Sequence, residues 1–422
     1  MIFMVVGDGC REYAIAKRLI SEDHKVVSFQ VKRNWGLERI CQSWHCSREF
    51  EPTEIIAAAR SDHAEVIVAG TEKAIFRGLS DACNYHHIPC YAPLKSAAQL
   101  EENKLFAKEF VDSIRPDLVG PFRAIQDLST AEEFIDEHGP RVVLKCRSAM
   151  CEFGVKVFCS DAGAAMAGVR DALRSGLPLL IEKYIDGKDF TQYCFTDGLH
   201  SFFPRVIRDF PFRSETVRQK TGGMGSINFG DILPDINPMD TANAQDCIKR
   251  VLHQLDCSYG IRFRGVLAGQ FIKSSQSLFF NEFDVRPGDS EFVNILASLD
   301  SPLSEIILNT LTSNLNNIKI NASNTVCVYH VPVTYPGSIM RQQFTLPEWS
   351  IESRNVLFGN IIREGHAFST GPGRTLLVSS TAYDFSSARR EAVTISDALD
   401  TGLCYRRDIG RAEEVALNTS VE

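Results

Sequence analysis

The sequence predicts a mixed α/β and α+β chain: an N-terminal open parallel sheet, a middle region of antiparallel α+β units and a strand-rich α+β tail. Three observations predict it. Between residues 2 and 85 short apolar runs alternate with helically spaced stretches, the pattern of a parallel sheet with helices on both faces. Between 141 and 285 the strands instead come in pairs closed by turns, and beyond Asn316 strands dominate. At roughly 150 residues per domain, 422 residues make about three domains.

In order along the chain, Ile2–Val6 is an apolar strand that turns at Gly7-Asp8-Gly9 into a helix over Arg11–Ile20. Lys25–Phe29 is a second strand, Pro52–Ala59 a helix, Glu65–Ala69 a strand and Glu72–Tyr85 a helix. A helix over Ala97–Val111 leads through Pro116 and Pro121 to a strand, Arg141–Lys145. A loop over 146–153, a return strand over 154–158 and a helix over 162–174 follow. Leu179–Ile185 is a strand closed by the turn dipeptide Asp186-Gly187. Then come a helix over 242–255 and a hairpin whose arms, Gly265–Ile272 and Leu278–Val285, flank the polar turn Lys273–Ser277. The tail holds strands at Val326–Pro332 and Arg374–Ser379 and a helix over Ser386–Leu399.

Composition narrows the function classes. An excess of 53 acids over 45 bases lacks the basic footprint of a protein that tracks a nucleic-acid backbone, so no nucleic-acid partner is expected. Met1–Gly7 has no basic stretch and, after Met1, reaches glycine through the five apolar residues Ile2–Val6. It predicts neither a leader nor a membrane span, and a cytoplasmic chain. Thirteen scattered cysteines fit reduced thiols. Cys41, His45, Cys46, Cys83, His86, His87 and Cys90 contain zinc-ligand types, but their spacing matches no standard finger. The Gly-x-Gly after the first strand lacks the third glycine of a dinucleotide fingerprint, where Glu12 stands. Phe29 and Gln30 occupy the place of a ribose-binding acid, which argues against NAD. The Gly7–Arg11 turn still offers helix-start amides to a phosphate or carboxylate.

The chemistry concentrates in the hairpin. Alternation along Leu278–Val285 puts Glu282 and Asp284 on one side of a strand, where two carboxylates suit Mg²⁺ or Mn²⁺. Gln270, on the partner arm, can face the same ion. Alone, Glu-x-Asp is more often a solvated strand face. Arg286, Gly288, Asp289 and Glu291, following at once, set this one apart, and the arginine is shaped for bidentate carboxylate or phosphate binding.

Further motifs are spread along the chain: Gly7-Asp8-Gly9-Cys10-Arg11-Glu12-Tyr13-Ala14, Ala97–Glu101 with Lys104, Ile181–Gly187, Thr221-Gly222-Gly223-Met224-Gly225 and Asn281–Glu291. The tail adds Tyr335-Pro336-Gly337, Gly371–Arg374 and Tyr405–Gly410. In this order they resemble the glycinamide ribonucleotide synthetase (phosphoribosylamine–glycine ligase) family of the ATP-grasp superfamily, nearly end to end. The resemblance implies an α/β domain over 1–103, a two-lobed ATP-grasp domain over 104–324 with a mobile lid over about 117–187, and a C-terminal α+β domain over 325–422. It implies ATP held by Lys104, Lys145, Arg147, Glu182, Lys183, Tyr184, Ile185 and Asp189, with metal on Gln270, Glu282 and Asp284. Substrates would meet Gly9, Arg11, Glu12, Glu72, Thr221, Gly222, Gly223, Gly225, Arg286 and Gly288, with Arg286, Lys145 and Asp289 catalytic. The implied reaction phosphorylates a carboxylic acid at the expense of ATP, and an amine captures the acyl phosphate as an amide. The implied partners are small acid and amine substrates, and the expected state is a monomer or small homo-oligomer.

The chain also departs from the family. Its lid reads Lys145-Cys146-Arg147-Ser148-Ala149-Met150-Cys151-Glu152-Phe153-Gly154-Val155, with one glycine where the family has several and Phe153 in place of a lysine. Arg218-Gln219-Lys220 replaces a Gly-Pro-Asn, Asp209-Phe210-Pro211-Phe212 replaces Asp-His-Lys-Arg, Tyr13 replaces a histidine and Asp284 an asparagine. The substrates are therefore glycine and 5-phosphoribosylamine or another acid–amine pair. The alternative is a catalytically impaired nucleotide- or metabolite-binding regulator.

Overall fold

The computed structural model describes residues 1–149, 151, 155–158, 161–216, 219–230, 233–337 and 340–419. Strands β1 (Ile2–Val6), β2 (Lys25–Gln30), β3 (Ser43–Cys46), β4 (Val66–Ala69) and β5 (Cys90–Tyr91) form an all-parallel sheet in the order β3-β2-β1-β4-β5. β1 and β4 are buried along nearly their whole length, as apolar runs between two helical layers must be. The edge strand β3 and the short Trp35–Ile40 helix before it carry no clear period and were not expected.

Two expected helices are each broken in two. Gly78, at φ +80°, interrupts the 72–85 stretch into Glu72–Phe76 and Leu79–Tyr85, because a left-handed residue cannot continue a right-handed helix. The 97–111 stretch divides at Asn103 into Lys95–Glu102 and Lys104–Ile114. There the Asn103 side chain accepts the Phe106 N–H at 3.1 Å and caps a new helix. The break makes Lys104 the first residue of a helix that runs along the cavity described below.

Strands β6 (Phe122–Ile125), β7 (Val142–Cys146), β8 (Val155–Phe158) and β9 (Leu179–Lys183) form an antiparallel sheet in the order β6-β9-β7-β8. With the Leu128–His138 and Ala162–Arg174 helices it encloses its own core around Phe134, Leu144, Val169 and Ile181, separate from the main core. β9 stops at Lys183, two residues short of the expected strand.

The remaining strands are β10 (Lys188–Thr196), β11 (Ser201–Phe202), β12 (Ile207–Asp209), β13 (Gly225–Asn228), β14 (Gly265–Lys273), β15 (Leu278–Asp284), β16 (Asn324–His330), β17 (Gln343–Phe344), β18 (Val356–Phe358), β19 (Ile361–Glu364), β20 (Ala367–Thr370) and β21 (Leu376–Ala382). A nine-stranded sheet orders them β15-β14-β10-β12-β13-β16-β21-β18, with β11 on β10, and β17-β20-β19 form a small sheet apart. The large sheet thus runs unbroken from residue 188 to residue 382. The hairpin β14–β15 is present, and its register shifts: Gln270 faces Glu282 while Phe271 faces Phe280, so Asn281 is an extra, bulged residue. The helix over Pro238–Tyr259 is longer than expected, started by an Asn237–Asp240 capping box and stopped by left-handed Gly260. Among the described residues no helix is long and apolar enough to cross a membrane.

His330, at the end of β16, stacks on Tyr405 with ring centroids 4.6 Å apart, and neither ring nitrogen meets a hydrogen-bond partner among the described residues. Burial lowers its pKa from 6.5 to about 3. Above pH 6.5 the imidazole is neutral in both folded and unfolded chains and pH does not matter. Below it the unfolded chain gains a proton that the folded chain refuses. Unfolding free energy is therefore expected to fall by up to about 1.4 kcal/mol per pH unit on this account as pH drops through that window. Urea titrations of the wild type and His330→Phe between pH 4.5 and 7.5 measure it, the variant showing the shallower slope.

Candidate active site

All three large sheets contribute to one cavity of about 650 Å³. At one end β7 supplies Val143 and the β9 exit supplies Lys183, Tyr184 and Ile185, with Phe279 and Pro121 beside them. The Lys183 N–H donates to the Pro121 carbonyl at 3.0 Å and that of Tyr184 to Arg141 at 2.8 Å. The Ile185 N–H has no such partner among the described residues. This end is a largely apolar slot with main-chain groups at its edge, fit for a planar heterocycle.

Lysines fill the middle. Lys104 Nζ lies 2.7 Å from Glu282 Oε2. Lys145 Nζ lies 3.1 Å from Glu182 Oε1 and donates to Asn281 Oδ1 at 2.8 Å. Lys108, one turn after Lys104 on the same helix, reaches Glu182 Oε2 at 3.2 Å and the Phe280 carbonyl at 2.8 Å. Burial alone would raise both carboxyls. Lys104, Lys220 and Lys145 overcome it and hold Glu282 well below the usual carboxylate range, and Lys108 with Lys145 lower Glu182. The bulge at Asn281 brings that amide to Lys145 while Glu282 and Asp284 also line the cavity.

Beyond the lysines, Gln270 Nε2 donates to Asp284 Oδ2 at 2.8 Å, and Arg286 lies 3.1 Å from Asp284, 3.4 Å from Glu101 and 3.4 Å from Glu72. Burial, with Asp284 and Glu72 near, pushes Glu101 up to about 8, although Arg286 and the Val285 N–H pull the other way. Arg11 Nη1 donates to the Pro287 carbonyl at 2.6 Å and Nε to Glu12 at 2.6 Å. The Gly9 N–H, expected to meet a ligand, instead donates to Glu12 Oε2 at 2.8 Å. Glu12 fills the space beneath the turn: a Cβ on Gly70 would stand 2.1 Å from its carboxylate oxygen.

The Thr221–Gly225 segment folds over the far wall. The Gly222 N–H donates to Tyr335 Oη at 3.1 Å and the Gly223 N–H to Thr221 Oγ1 at 3.0 Å, with Gly223 at φ +98°. Arg374 donates to the Asp289 carbonyl at 2.6 Å, pairs with the Asp289 carboxylate at 3.0 Å and stacks over the Tyr329 ring at 4.4 Å. The Tyr329 hydroxyl also donates to Asp289. Asp209 is half-buried, and its buried Oδ1 is unpartnered among the described residues. Burial and neighbouring Glu291 push its carboxyl well up, and Glu291 itself is raised to about 7.

Seventeen of the expected residues line this cavity: Gly9, Arg11, Glu12, Glu72, Lys145, Glu182, Lys183, Tyr184, Ile185, Asp189, Thr221, Gly222, Gln270, Glu282, Asp284, Arg286 and Asp289. Lys104 is not among the lining residues but pairs with Glu282, which is. Arg147 does not line it: its N–H donates to the Pro178 carbonyl and its carbonyl accepts the Lys104 N–H, both at 2.8 Å, so its main chain ties the segment after β7 to the Lys104–Ile114 helix. Gly223, Gly225 and Gly288 also lie behind the wall. A Cβ would stand 2.1 Å from the Cys327 carbonyl at Gly225 and 2.1 Å from Tyr193 Oη at Gly288, so close packing explains both glycines. Lid positions Met150 and Glu152–Gly154, and Arg218, lie outside the described residues. Sequence reading gave no site role to Lys108, Glu101, Asn281, Asp209, Tyr329 or Arg374, although Glu101, Asn281 and Arg374 stand in the quoted motifs and Asp209 in one of the departures. Lys108, outside every motif, still carried a local signal in its one-turn spacing from Lys104. Among the described residues no group of three or more His, Cys, Asp or Glu side chains is arranged around a common metal position.

A cavity between α/β units, with lysines amid carboxylates and an apolar slot at one end, defines an ATP-grasp ligase, and comparison with known proteins agrees. Residues 1–101 match the phosphoribosylglycinamide synthetase N domain and residues 102–292 its ATP-grasp (A) domain. The phosphoribosylamine–glycine ligase of Methanosarcina barkeri is 28% identical over 98% of this chain and 96% of its own length, and that of Pyrococcus horikoshii is 29% identical over 98% and 96%. The crystal structure of the Thermotoga maritima phosphoribosylamine–glycine ligase superposes with a TM-score of 0.79 at 21% identity, covering 97% of this chain and all of that one. The chain belongs to the phosphoribosylglycinamide synthetase family, ligases of the ATP-grasp type that form a carbon–nitrogen bond.

Removing one member of a buried charge pair strands the other. Arg374→Met leaves the Asp289 carboxylate, 10% exposed, without its guanidinium, and is expected to cost about 3–5 kcal/mol. A lowered urea midpoint at unchanged slope is the readout.

Proposed function

We propose that the chain activates a carboxylic acid with ATP and joins it to an amine. The observation that carries this is a set of lysines held by carboxylates, Lys108 and Lys145 by Glu182 on the cavity wall and Lys104 by the lining residue Glu282, in the same cavity as an apolar slot and Arg286. Adenine occupies the slot at Lys183–Ile185, with Asp189 toward the ribose and Lys104 and Lys145 on the phosphates. Lys108 acts through Glu182, fixing where Lys145 stands. Residues of about 117–187 form the lid within an ATP-grasp region of 104–324.

Glu282, Asp284 and Gln270 fit a divalent magnesium ion: the set offers oxygen donors, Glu282 is held ionised, and nothing soft is present. Glu282 and Asp284 would hold it, and Gln270, donating to Asp284, orients that carboxylate. A bound magnesium ion supplies charge neutralisation on the phosphates.

Arg286 orients the acid by bidentate hydrogen bonding and steadies the charge that develops on it. The acid's carboxylate oxygen attacks the γ-phosphorus and ADP leaves. The amine nitrogen then attacks the acyl carbon, the carbon–oxygen bond to phosphate breaks, and the nitrogen loses a proton to give the amide. The protein's contribution is positioning and fixed charge. The acid and amine are glycine and phosphoribosylamine, the pair in the relatives' names, or another pair. Phe212 and Lys220 on the cavity wall, where the resemblance breaks down, are where a different pair would be read.

Hydroxylamine trapping tests the reading. Incubation with Mg-ATP, hydroxylamine and a panel of amino and other small acids is expected to yield hydroxamate and ADP with at least one acid. Glu282→Ala should cut turnover at least about 100-fold. ATP binding without ADP release on the whole panel would refute ligation and leave a binding protein.

A further inference from the structure

A second cavity, of about 470 Å³, shares the 211–224 segment with the active site but none of its lining residues. The active site uses Pro211, Phe212, Thr221 and Gly222 of that segment, whereas the second cavity uses Arg213, Ser214 and Met224 and closes with Cys404–Asp408 and Arg411. Four guanidinium groups, Arg213, Arg406, Arg407 and Arg411, face one carboxylate, Asp408.

Their partners show how far these charges are already used. Arg406 is buried, pairs with Asp408, donates to the Phe212 carbonyl at 3.0 Å and stacks on Phe210 at 5.5 Å, so it is fixed in place. Arg407 pairs at 2.6 Å with Asp397, outside the cavity wall, and Arg213 gives one nitrogen to the Val333 carbonyl at 2.9 Å. Arg411 opens the Arg411–Thr419 helix. The acids of that helix's first turn point to other arginines, Glu413 to Arg208 and Glu414 to Arg389. Asp408 and Asp397 thus take up Arg406 and Arg407, with Glu215 also beside Asp408, whereas Arg213 and Arg411 have no carboxylate paired to them among the described residues and leave positive charge in a concave space of ligand size. Arginine forks arranged around such a space fit a phosphate, whose three oxygens and charge near −2 can engage several guanidinium groups at once, better than a single carboxylate can.

We propose that this cavity is a second binding site, distinct from the active site, for a small phosphate-bearing metabolite. Arg406 forms its floor, and Arg213 and Arg411 close on the phosphate from opposite elements. The site owes nothing to the ligase chemistry and stands or falls separately from it.

Ribose 5-phosphate titrated calorimetrically into the full chain, with ADP at saturation, is the test, with ribose as the uncharged control. The wild type is expected to show saturable binding that ribose does not, and Arg213→Ala/Arg411→Ala to weaken it at least about tenfold while ADP affinity is unchanged. Arg213→Gln/Arg411→Gln, which keeps side-chain length, guards against a variant that folds poorly and should show the same loss. Equal ribose 5-phosphate affinity in wild type and both variants, or no binding to the wild type, overturns the proposal.

Discussion

The structure hangs on the charges gathered around the segment from Asp284 to Glu291. Arg286 ties Asp284, at the end of β15, to Glu72 and Glu101, on two helices of the N-terminal sheet, and Arg11 reaches the Pro287 carbonyl from the first helix of all. Three residues later Asp289 is gripped by Arg374 and Tyr329 from the C-terminal strands, and Glu291 accepts the Thr191 hydroxyl of β10 at 3.2 Å. One stretch of eight residues is thus the point where sequence-distant parts of the chain meet.

Such a knot is a poor way to gain stability. Desolvating arginines and carboxylates costs several kcal/mol per ion, and well-packed apolar side chains of similar volume often do as well or better. The Glu101 carboxyl raised to about 8 and the Glu291 carboxyl to about 7 show that burial is only partly compensated. What the charges supply is a preorganised wall: a guanidinium fixed by three carboxylates needs no rearrangement when an anion arrives. Glu182 plays the same part for the lysines, set between Lys108 and Lys145 so that neither drifts into solvent.

How much of this was legible in the sequence follows from range. Period and alternation over ten residues sufficed for the parallel sheet, the hairpin and the Glu282–Asp284 pair, because local spacing alone determines which side chains share a face. The breaks at Gly78 and Asn103 also had local causes but were hidden inside longer helical patterns. Arg374 and Glu101 stand in quoted motifs and Tyr329 in none, but nothing near any of them in sequence says that they meet residues 284–289. Asn281 was hidden for another reason: strict alternation sends it away from Glu282, and only the bulge brings it to Lys145. The Gly9 amide shows the converse, a group correctly placed at a helix start but already satisfied by Glu12.

The separate core of the β6–β9 unit divides the molecule into two thermodynamic reservoirs. Its strands close on Phe134, Leu144 and Ile181, while the nine-stranded sheet shares one core with the N-terminal domain. Amide protons of β6, β7 and β9 accordingly have an exchange route through opening of that unit alone, whereas those of β10, β13 and β16 must await unfolding of the larger body. Native-state hydrogen exchange in mild denaturant would resolve the chain into two isotherms, the lower one belonging to the unit that carries Lys145.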